Sequence, residues 1–365
     1  MLFRSGNARA PGQPQASFAG ESHLDLIARE LGIDPLEIRL RNAIRPHDTD
    51  LRGHAWRTSM VPQVIETIRG QARWDEPRPP GRGRGMAVGA RQSPGGILTS
   101  TVALEVTSDA RVAIVTSISD QGGGAHTMLQ RIVAAELGLA TDRVTVRRAT
   151  TADAPVEAGV GGSRVTPVVG GAALAGARSL KHHLDELAPA LDVARQLERS
   201  AGTRVEGTYE HPSGLHSTYA YAIEVEVDRA TGAVRILDCV LVADVGTLIN
   251  PLAARGQLVG AFAQGLGQAL MEEMRLEDGV VTNAGLGDYK MPTMADVPSL
   301  RVVLLTDDRG DGPFGAKSVG ELANPGVAPA IANAIHDAVG VRVTSLPITA
   351  EKVHRALQAP DPWRS

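Results

Sequence analysis

The strands of this 365-residue chain come in hairpins, and that pairing limits its fold more than any other feature. Residues 219–228 and 233–242 are strand-like runs either side of Arg229-Ala230-Thr231-Gly232, a turn that returns the chain antiparallel. Residues 97–106 and 111–117 do the same around Thr107-Ser108-Asp109-Ala110. Helical patterns lie between, at 126–137, 170–199 with a break near Pro189, 250–273 and 325–339, with a strand near 144–147. A doubly wound parallel sheet needs a crossover helix after each strand, so hairpins predict an α+β fold instead. Its mixed and antiparallel sheets would carry packed helices. Aromatic residues make up 3% of the chain, so the core must rest on Ala, Val, Leu and Ile. Forty glycines imply loops and close backbone approaches.

The first 75 residues have a different texture. One helix is predicted over 20–31, where Leu24, Ile27, Ala28 and Leu31 share a face and Gly32 stops it. A second, over 34–42, opens on an Asp34 cap with Pro35 at its first position and Glu37 in its first turn. A third covers 61–71, and a last short helix starts at the Thr349 cap. The run DEPRPPGRGR at 75–84 marks a boundary. The expected units are 1–75, a linker at 76–84, a main domain at 85–358 and a tail at 359–365. Met1-Leu2-Phe3-Arg4-Ser5 leads straight into Asn7-Ala8-Arg9-Ala10-Pro11-Gly12, without signal peptide, opening strand or capped helix. The chain reads as entered midway, and truncation at the N-terminus is expected.

Several function classes are excluded. A formal charge of −4 gives no footprint for nucleic acid. The longest apolar stretch, 252–271, is broken by Arg255, Gln257 and Gln264, so no membrane span is expected. A single cysteine, Cys239, rules out an internal disulfide and any cysteine-ligated cluster inside the chain. HExxH, G-x-S-x-G and Walker A patterns are missing, so no protein-ligated metal is predicted.

Four glycine-rich or polar breaks remain, each beside a helix start. Asp120-Gln121-Gly122-Gly123-Gly124-Ala125-His126 would leave backbone N–H groups bare for an anion, or be a plain tight turn. Gly159-Val160-Gly161-Gly162-Ser163-Arg164 offers N–H groups, a hydroxyl and a guanidinium to a pyrophosphate, or is a loop with a surface arginine. In 250–267, Asn250-Pro251 starts a helix and Gln257 and Gln264 lie two turns apart on it. Glycines at 256, 260, 265 and 267, each costing a helix about 1 kcal/mol, imply close packing against a helix or a flat cofactor. The fourth break, 314–325, holds Glu321 between Gly320 and Leu322. A carboxylate in apolar surroundings suits a general base; the plainer alternatives are a cap for the next helix or a pair with Lys317.

In this order, the motifs resemble the molybdopterin-binding large subunit of molybdenum hydroxylases, the xanthine dehydrogenase and aldehyde oxidoreductase family. Arg9-Ala10-Pro11-Gly12-Gln13-Pro14-Gln15, Asp34 to Asn42, Asp120 to Thr127, Gly162-Ser163-Arg164, Asp244-Val245-Gly246, Gly256-Gln257, Asp288-Tyr289-Lys290-Met291-Pro292 and Lys317 to Glu321 carry it across residues 7–357. The resemblance implies the C-terminal half of that subunit, centred on its second molybdopterin-binding domain. It implies oxidative hydroxylation of an aldehyde or N-heterocycle, with water as oxygen source and hydride passing to a sulfido ligand of molybdenum. Glu321 matches the catalytic glutamate and Arg9 an arginine that orients substrate. Gly122, Gly123, Gly124, Gly162, Ser163, Arg164 and Gln257 match cofactor contacts, with Lys317, Ser318 and Val319 lining the same cavity through their backbone. The cofactor would be molybdopterin, in its cytosine dinucleotide form, with molybdenum held by the pterin. Two [2Fe–2S] clusters on a small subunit and FAD on a medium subunit would take the electrons, in the cytoplasm or the periplasm. Two departures stand out: Gly123 replaces a glutamine found in many relatives, and the family's N-terminal half, with its loop over the molybdenum, does not occur here. The competing reading is a non-catalytic fragment or scaffold that packs against redox partner subunits.

Overall fold

The computed structural model describes residues 8–51, 53, 55–92, 98–150, 152–212 and 216–359. The expectations for residues 1–7, for the strand start at Ile97 and for the tail beyond 359 lie outside them. The chain begins with α1 (Gln13–Glu30), α2 (Pro35–Arg41) and α3 (Val61–Gln71), then β1 (Arg82–Gln92), β2 (Thr99–Val106), β3 (Val112–Thr116), α4 (Ala125–Leu137) and β4 (Val144–Arg148). It continues through α5 (Gly170–Leu187), α6 (Val193–Glu198), β5 (Arg204–Glu210), β6 (His216–Val227), β7 (Val234–Asp244) and α7 (Pro251–Leu270). A small hairpin, β8 (Leu276–Glu277) with β9 (Val280–Val281), precedes β10 (Arg301–Leu305), α8 (Val327–Val339) and α9 (Ala350–Gln358).

Both expected hairpins form. β6 pairs antiparallel with β7, and β2 with β3. They are built into two four-stranded mixed sheets, ordered β1-β6-β7-β10 and β4-β3-β2-β5, with β10 parallel to β7 and β4 parallel to β3. This is the α+β fold with packed helices. The period-two alternation of a strand assigns its faces. Tyr219, Tyr221 and Ile223 of β6 enter the core under α7 and α8, while Ala220 and Ala222 meet Val64, Ile65 and Ile68 of α3 on the other side. The second sheet carries α4 and α5, through Leu104, Ile114, Leu129 and Leu180.

A chain poor in aromatics packs helix on strand by bringing backbones together. A Cβ on Gly83 or Gly85 of β1 would stand 2.2 or 2.1 Å from the backbone of Ala334 in α8. In the other sheet, a Cβ on Gly207 of β5 would stand 2.0 Å from Gly176 N in α5. Each strand glycine thus lets an alanine-rich helix lie directly on its sheet. Gly265 of α7 has the same role, since a Cβ there would come within 2.6 Å of Val327. A neighbouring helix start therefore explains that part of the glycine density in α7.

The predicted caps form as read. Asp34 accepts from Leu36 N and Glu37 N, Asn250 from Ala253 N and Thr349 from Lys352 N. Other boundaries move. α1 starts seven residues before the expected helix, and β1 starts at Arg82, inside the stretch read as linker. The arginines there are strand residues: Arg82 and Arg84 pair across to Glu226 and Glu224 of β6. α1 is fastened to α8 by Arg29, which donates to Asp337 at 3.2 Å, and Asp25 of α1 accepts from Arg29 at 3.3 Å and from Arg342, just past α8, at 2.7 Å. Burial alone would raise the Asp25 carboxyl, but His336, Arg29 and Arg342 together outweigh it and hold it at about 2. Among the described residues, no helix is long and apolar enough to cross a membrane.

Candidate functional site

A cleft of about 1070 Å³ opens where the N-terminal ends of α4 and α7 meet the loops at 158–166 and 317–321. The loops are knitted by hydroxyls and backbone. Ser318 Oγ donates to Ser163 O at 2.6 Å, Ser217 Oγ of β6 to Ser318 O at 2.7 Å, and Lys317 N to Val245 O at 3.0 Å. Gly320 packs closely on this contact, since a Cβ there would lie 3.2 Å from Ser163 Oγ.

Glu321 projects into that cleft with 15% of its side chain exposed. Its Oε1 accepts from Ala10 N at 3.1 Å, and its Oε2 from Ser163 Oγ at 2.9 Å and from Arg91 Nη2. Neither plain alternative holds: Lys317 pairs elsewhere, and α8 has no side-chain cap. An ionised carboxylate has about four lone-pair positions. Among the described residues three are taken, so one acceptor position on Oε1 stays open.

Arg9 lies beside this carboxylate, held by α7. Its Nε donates to Gly320 O, its Nη1 to Gln264 Oε1 at 3.3 Å, and its Nη2 to Gln257 O at 3.1 Å and Gln257 Oε1 at 3.0 Å. The two-turn spacing of Gln257 and Gln264 thus serves one guanidinium. Burial lowers the Arg9 pKa from its ordinary value, with Glu321 pulling the other way. Since Asn324 Nδ2 also holds Arg9 O at 3.1 Å, the N-terminal segment is fixed against the loop that carries Glu321.

The glycine turn differs from expectation. Its N–H groups are not all bare: Gly122 N and Gly124 N donate to Asp120 Oδ1 at 3.0 and 3.1 Å, and His126 N to Oδ2 at 3.3 Å. The chain supplies its own anion to the start of α4. Burial opposes ionisation of Asp120, but these backbone donors prevail and lower its pKa. Gly122 and Gly124 sit at φ +93° and +78°, where a side chain would be strained. Gly123 faces the cleft, and a Cβ there would meet Gln257 Nε2 at 3.7 Å.

Two cations offered by the sequence turn away from the cleft. Arg164 has its guanidinium buried against Glu157, and it also donates to Gly159 O and Thr99 O, both at 2.9 Å. The expected guanidinium for a pyrophosphate is therefore a structural ion pair, because Glu157, itself buried, needs a counter-charge. Lys317 points inward to Asp244 at 2.6 Å, leaving its backbone to line the cavity with that of Ser318 and Val319. Gly162, at φ +74°, and Ser163, at φ +60°, bend the other wall so that the Ser163 hydroxyl reaches Glu321. Arg91 was not legible from sequence. It is the penultimate residue of β1, its side chain is 12% exposed, and its partner Glu321 lies 230 positions away. The one signal was a basic residue ending a buried, glycine-rich strand.

The polar groups that line the cleft include the Gln257 amide, the Ser163 hydroxyl and the backbone of Gly123 and residues 317–319. Among the described residues, no three His, Cys, Asp or Glu come together to hold a metal ion. This set suits a large polar cofactor gripped by hydrogen bonds, and the cleft has room for one. It is the kind of site that defines a cofactor-binding protein.

Comparison with known proteins agrees. A family model described as a molybdopterin cofactor-binding domain matches residues 64–298, and a second with the same description matches residues 3–43. The chain belongs to the molybdopterin-binding family of aldehyde oxidoreductase and xanthine dehydrogenase molybdenum-binding subunits. It is 32% identical to the aldehyde oxidoreductase of Megalodesulfovibrio gigas, over 96% of this chain and 41% of that protein. It is 31% identical to the xanthine dehydrogenase molybdenum-binding subunit of Escherichia coli O157:H7, over 97% of this chain and 53% of that protein. The crystal structure of the aldehyde oxidoreductase from Desulfovibrio desulfuricans ATCC 27774 superposes with a TM-score of 0.87 at 28% identity, over 96% of this chain and 41% of that one. The chain thus spans about half the length of the curated relatives it matches.

Proposed function

We propose that this chain provides the cofactor grip and the general base for a molybdenum-dependent hydroxylation of an aldehyde or N-heterocycle. The observation that carries this reading is Glu321, a carboxylate inside the cleft with a single open acceptor position on Oε1. Molybdopterin, when bound, supplies the two-electron redox chemistry, with water as the source of oxygen. Gln257, the backbone of Gly123, Gly162 and Ser163, and the backbone of Lys317 to Val319 would hold it, with Gly122 and Gly124 shaping the turn around Asp120. Arg164 acts behind this wall, bracing the loop through Glu157.

Glu321 takes the proton at Oε1, while Ala10 N–H and Ser163 Oγ–H hold the carboxylate in orientation. Proton transfer by a positioned group is worth about 10²- to 10⁴-fold in rate. Arg9 fixes the Gly320 carbonyl, and its second Nη1–H, which has no partner among the described residues, would orient substrate. The finer expectations belong to the same proposal: a cytosine dinucleotide form of the cofactor, and partner subunits carrying [2Fe–2S] clusters and FAD. Relatives named as molybdenum-binding subunits support the partners, and the buried Cys239 cannot hold a cluster alone. We also propose that residues 1–75 complete a first cofactor-binding domain and 85–358 form the second.

The test uses the whole complex with its partner subunits. Elemental analysis should find molybdenum, and mass spectrometry a cytosine nucleotide, in both wild type and Glu321→Gln, with turnover lost only in the variant. Stable partner binding by a wild-type protein that carries no molybdenum would establish the scaffold reading instead.

A further inference from the structure

Arg91 stands apart from the other arginines around the cleft. Arg9 makes four hydrogen bonds, and Arg164 pairs with Glu157 and two carbonyls. Arg91 donates to Glu321, and its Nε is buried without a partner among the described residues. Its position is fixed from behind. β1 holds Arg91 opposite Ser217 of β6, and Ser217 Oγ binds Ser318 O in the loop that carries Glu321. A guanidinium has five donors in a rigid fork, which suits a carboxylate approached in its own plane. Among the described residues, most of that fork has nothing to bind.

Charge makes the same point. Lys317 and Arg164 are neutralised behind the wall by Asp244 and Glu157, and Asp120 is bound by the backbone of its own turn. Among the described residues around Glu321 there remain two guanidiniums, Arg9 and Arg91, against one carboxylate. Once Glu321 has taken a proton, Arg91 loses its counter-charge in a half-buried setting. An uncompensated buried charge is costly, so the step is favoured when another negative group takes Arg91 over.

We propose that Arg91 anchors the substrate, and that the substrate carries a carboxylate. The class is an aldehyde or N-heterocycle with a carboxylate substituent, which takes the Arg91 fork as Glu321 turns to the reacting centre. Arg91 is then the residue that selects among the substrates of this site. This inference rests on the hydroxylase reading above, but carboxylate binding can be measured without turnover.

The experiment compares 4-carboxybenzaldehyde with benzaldehyde as substrates of the full complex, and benzoate with benzyl alcohol as binding probes by calorimetry. In wild type, kcat/KM should favour the carboxylated aldehyde about 10- to 100-fold, and benzoate should bind more tightly by a similar factor. Arg91→Gln should remove that preference for both substrate and probe, while Arg91→Lys, which keeps the charge and loses the fork, should restore part of it. Equal losses on the charged and neutral compounds in Arg91→Gln would overturn the proposal, because Arg91 would then act through Glu321. No benzoate preference in wild type would overturn it as well. If benzoate binds at Arg91 as described but the complex oxidises neither the aldehydes nor a carboxylated N-heterocycle such as nicotinate, the anchor stands and the hydroxylase reading fails.

Discussion

The Arg164–Glu157 and Lys317–Asp244 pairs lie behind the cleft wall, whereas Arg91–Glu321 lies in it. In the first two, every charged side chain is 3% exposed or less, and neighbours add further bonds: Thr99 O and Gly159 O on Arg164, Gly246 N on Asp244. In the third, the side chains are 12% and 15% exposed, Arg91 Nε has no partner among the described residues, and one lone pair of Glu321 is open. The same chemistry therefore has two uses. A pair whose hydrogen bonds are satisfied braces the fold; a pair left incomplete at a cavity can exchange partners with a substrate.

The sharpest way to break this contrast is to remove one partner of a satisfied pair. Arg164→Met should cost about 3–5 kcal/mol in a denaturant melt, since it strands Glu157, and adding Glu157→Leu should recover most of it. A negligible cost would mean that the pair behind the wall is no brace. Lys317→Met should cost slightly less, about 3 kcal/mol at neutral pH, because its partner can relax by protonation. Burial already raises the Asp244 carboxyl, with Lys317 opposing. Without Lys317 the folded pKa rises further, so folding takes up a proton and the deficit should shrink as pH falls. A deficit that is flat with pH would contradict this.

His211 sharpens the contrast from outside the cleft, since it too is buried with a nitrogen, Nδ1, that has no partner among the described residues. Burial lowers its pKa from 6.5 to about 4, so the folded state keeps it neutral while the unfolded chain protonates. Its contribution is present above about pH 6.5 and lost as pH falls toward 4, by about 3 kcal/mol. Replacing it with Gln should flatten that part of the stability profile. The smallest effect belongs to packing alone. Gly83→Ala forces α8 off β1, because its Cβ would stand 2.2 Å from both Ala334 O and Ala338 N. About 1–3 kcal/mol should be lost, with no dependence on pH.

Local rules explain what the sequence revealed. Hairpin turns, the Asp34, Asn250 and Thr349 caps, and the glycine stop at 32 are decided within a few residues, so they could be read. β5 and β10 were not read, and each is fixed in its sheet by a single neighbour, β2 or β7. Glu321 stood out because a carboxylate between glycine and leucine is unusual nearby in sequence. The orientations of Arg164 and Lys317 were not legible, because each is decided by an acid elsewhere in the fold, Glu157 or Asp244. Arg91 was hidden for the same reason. Its role exists only once β1 and the 317–321 loop meet.

The chemical step itself offers the most direct test. In the complete complex, at matched molybdenum content, substrate can be mixed without an electron acceptor and a single turnover followed by rapid-mixing absorbance. The account predicts that Glu321→Gln slows this turnover by at least about 100-fold at saturating substrate. A rate equal to that of wild type would show that the proton goes elsewhere and that this carboxylate is not the base.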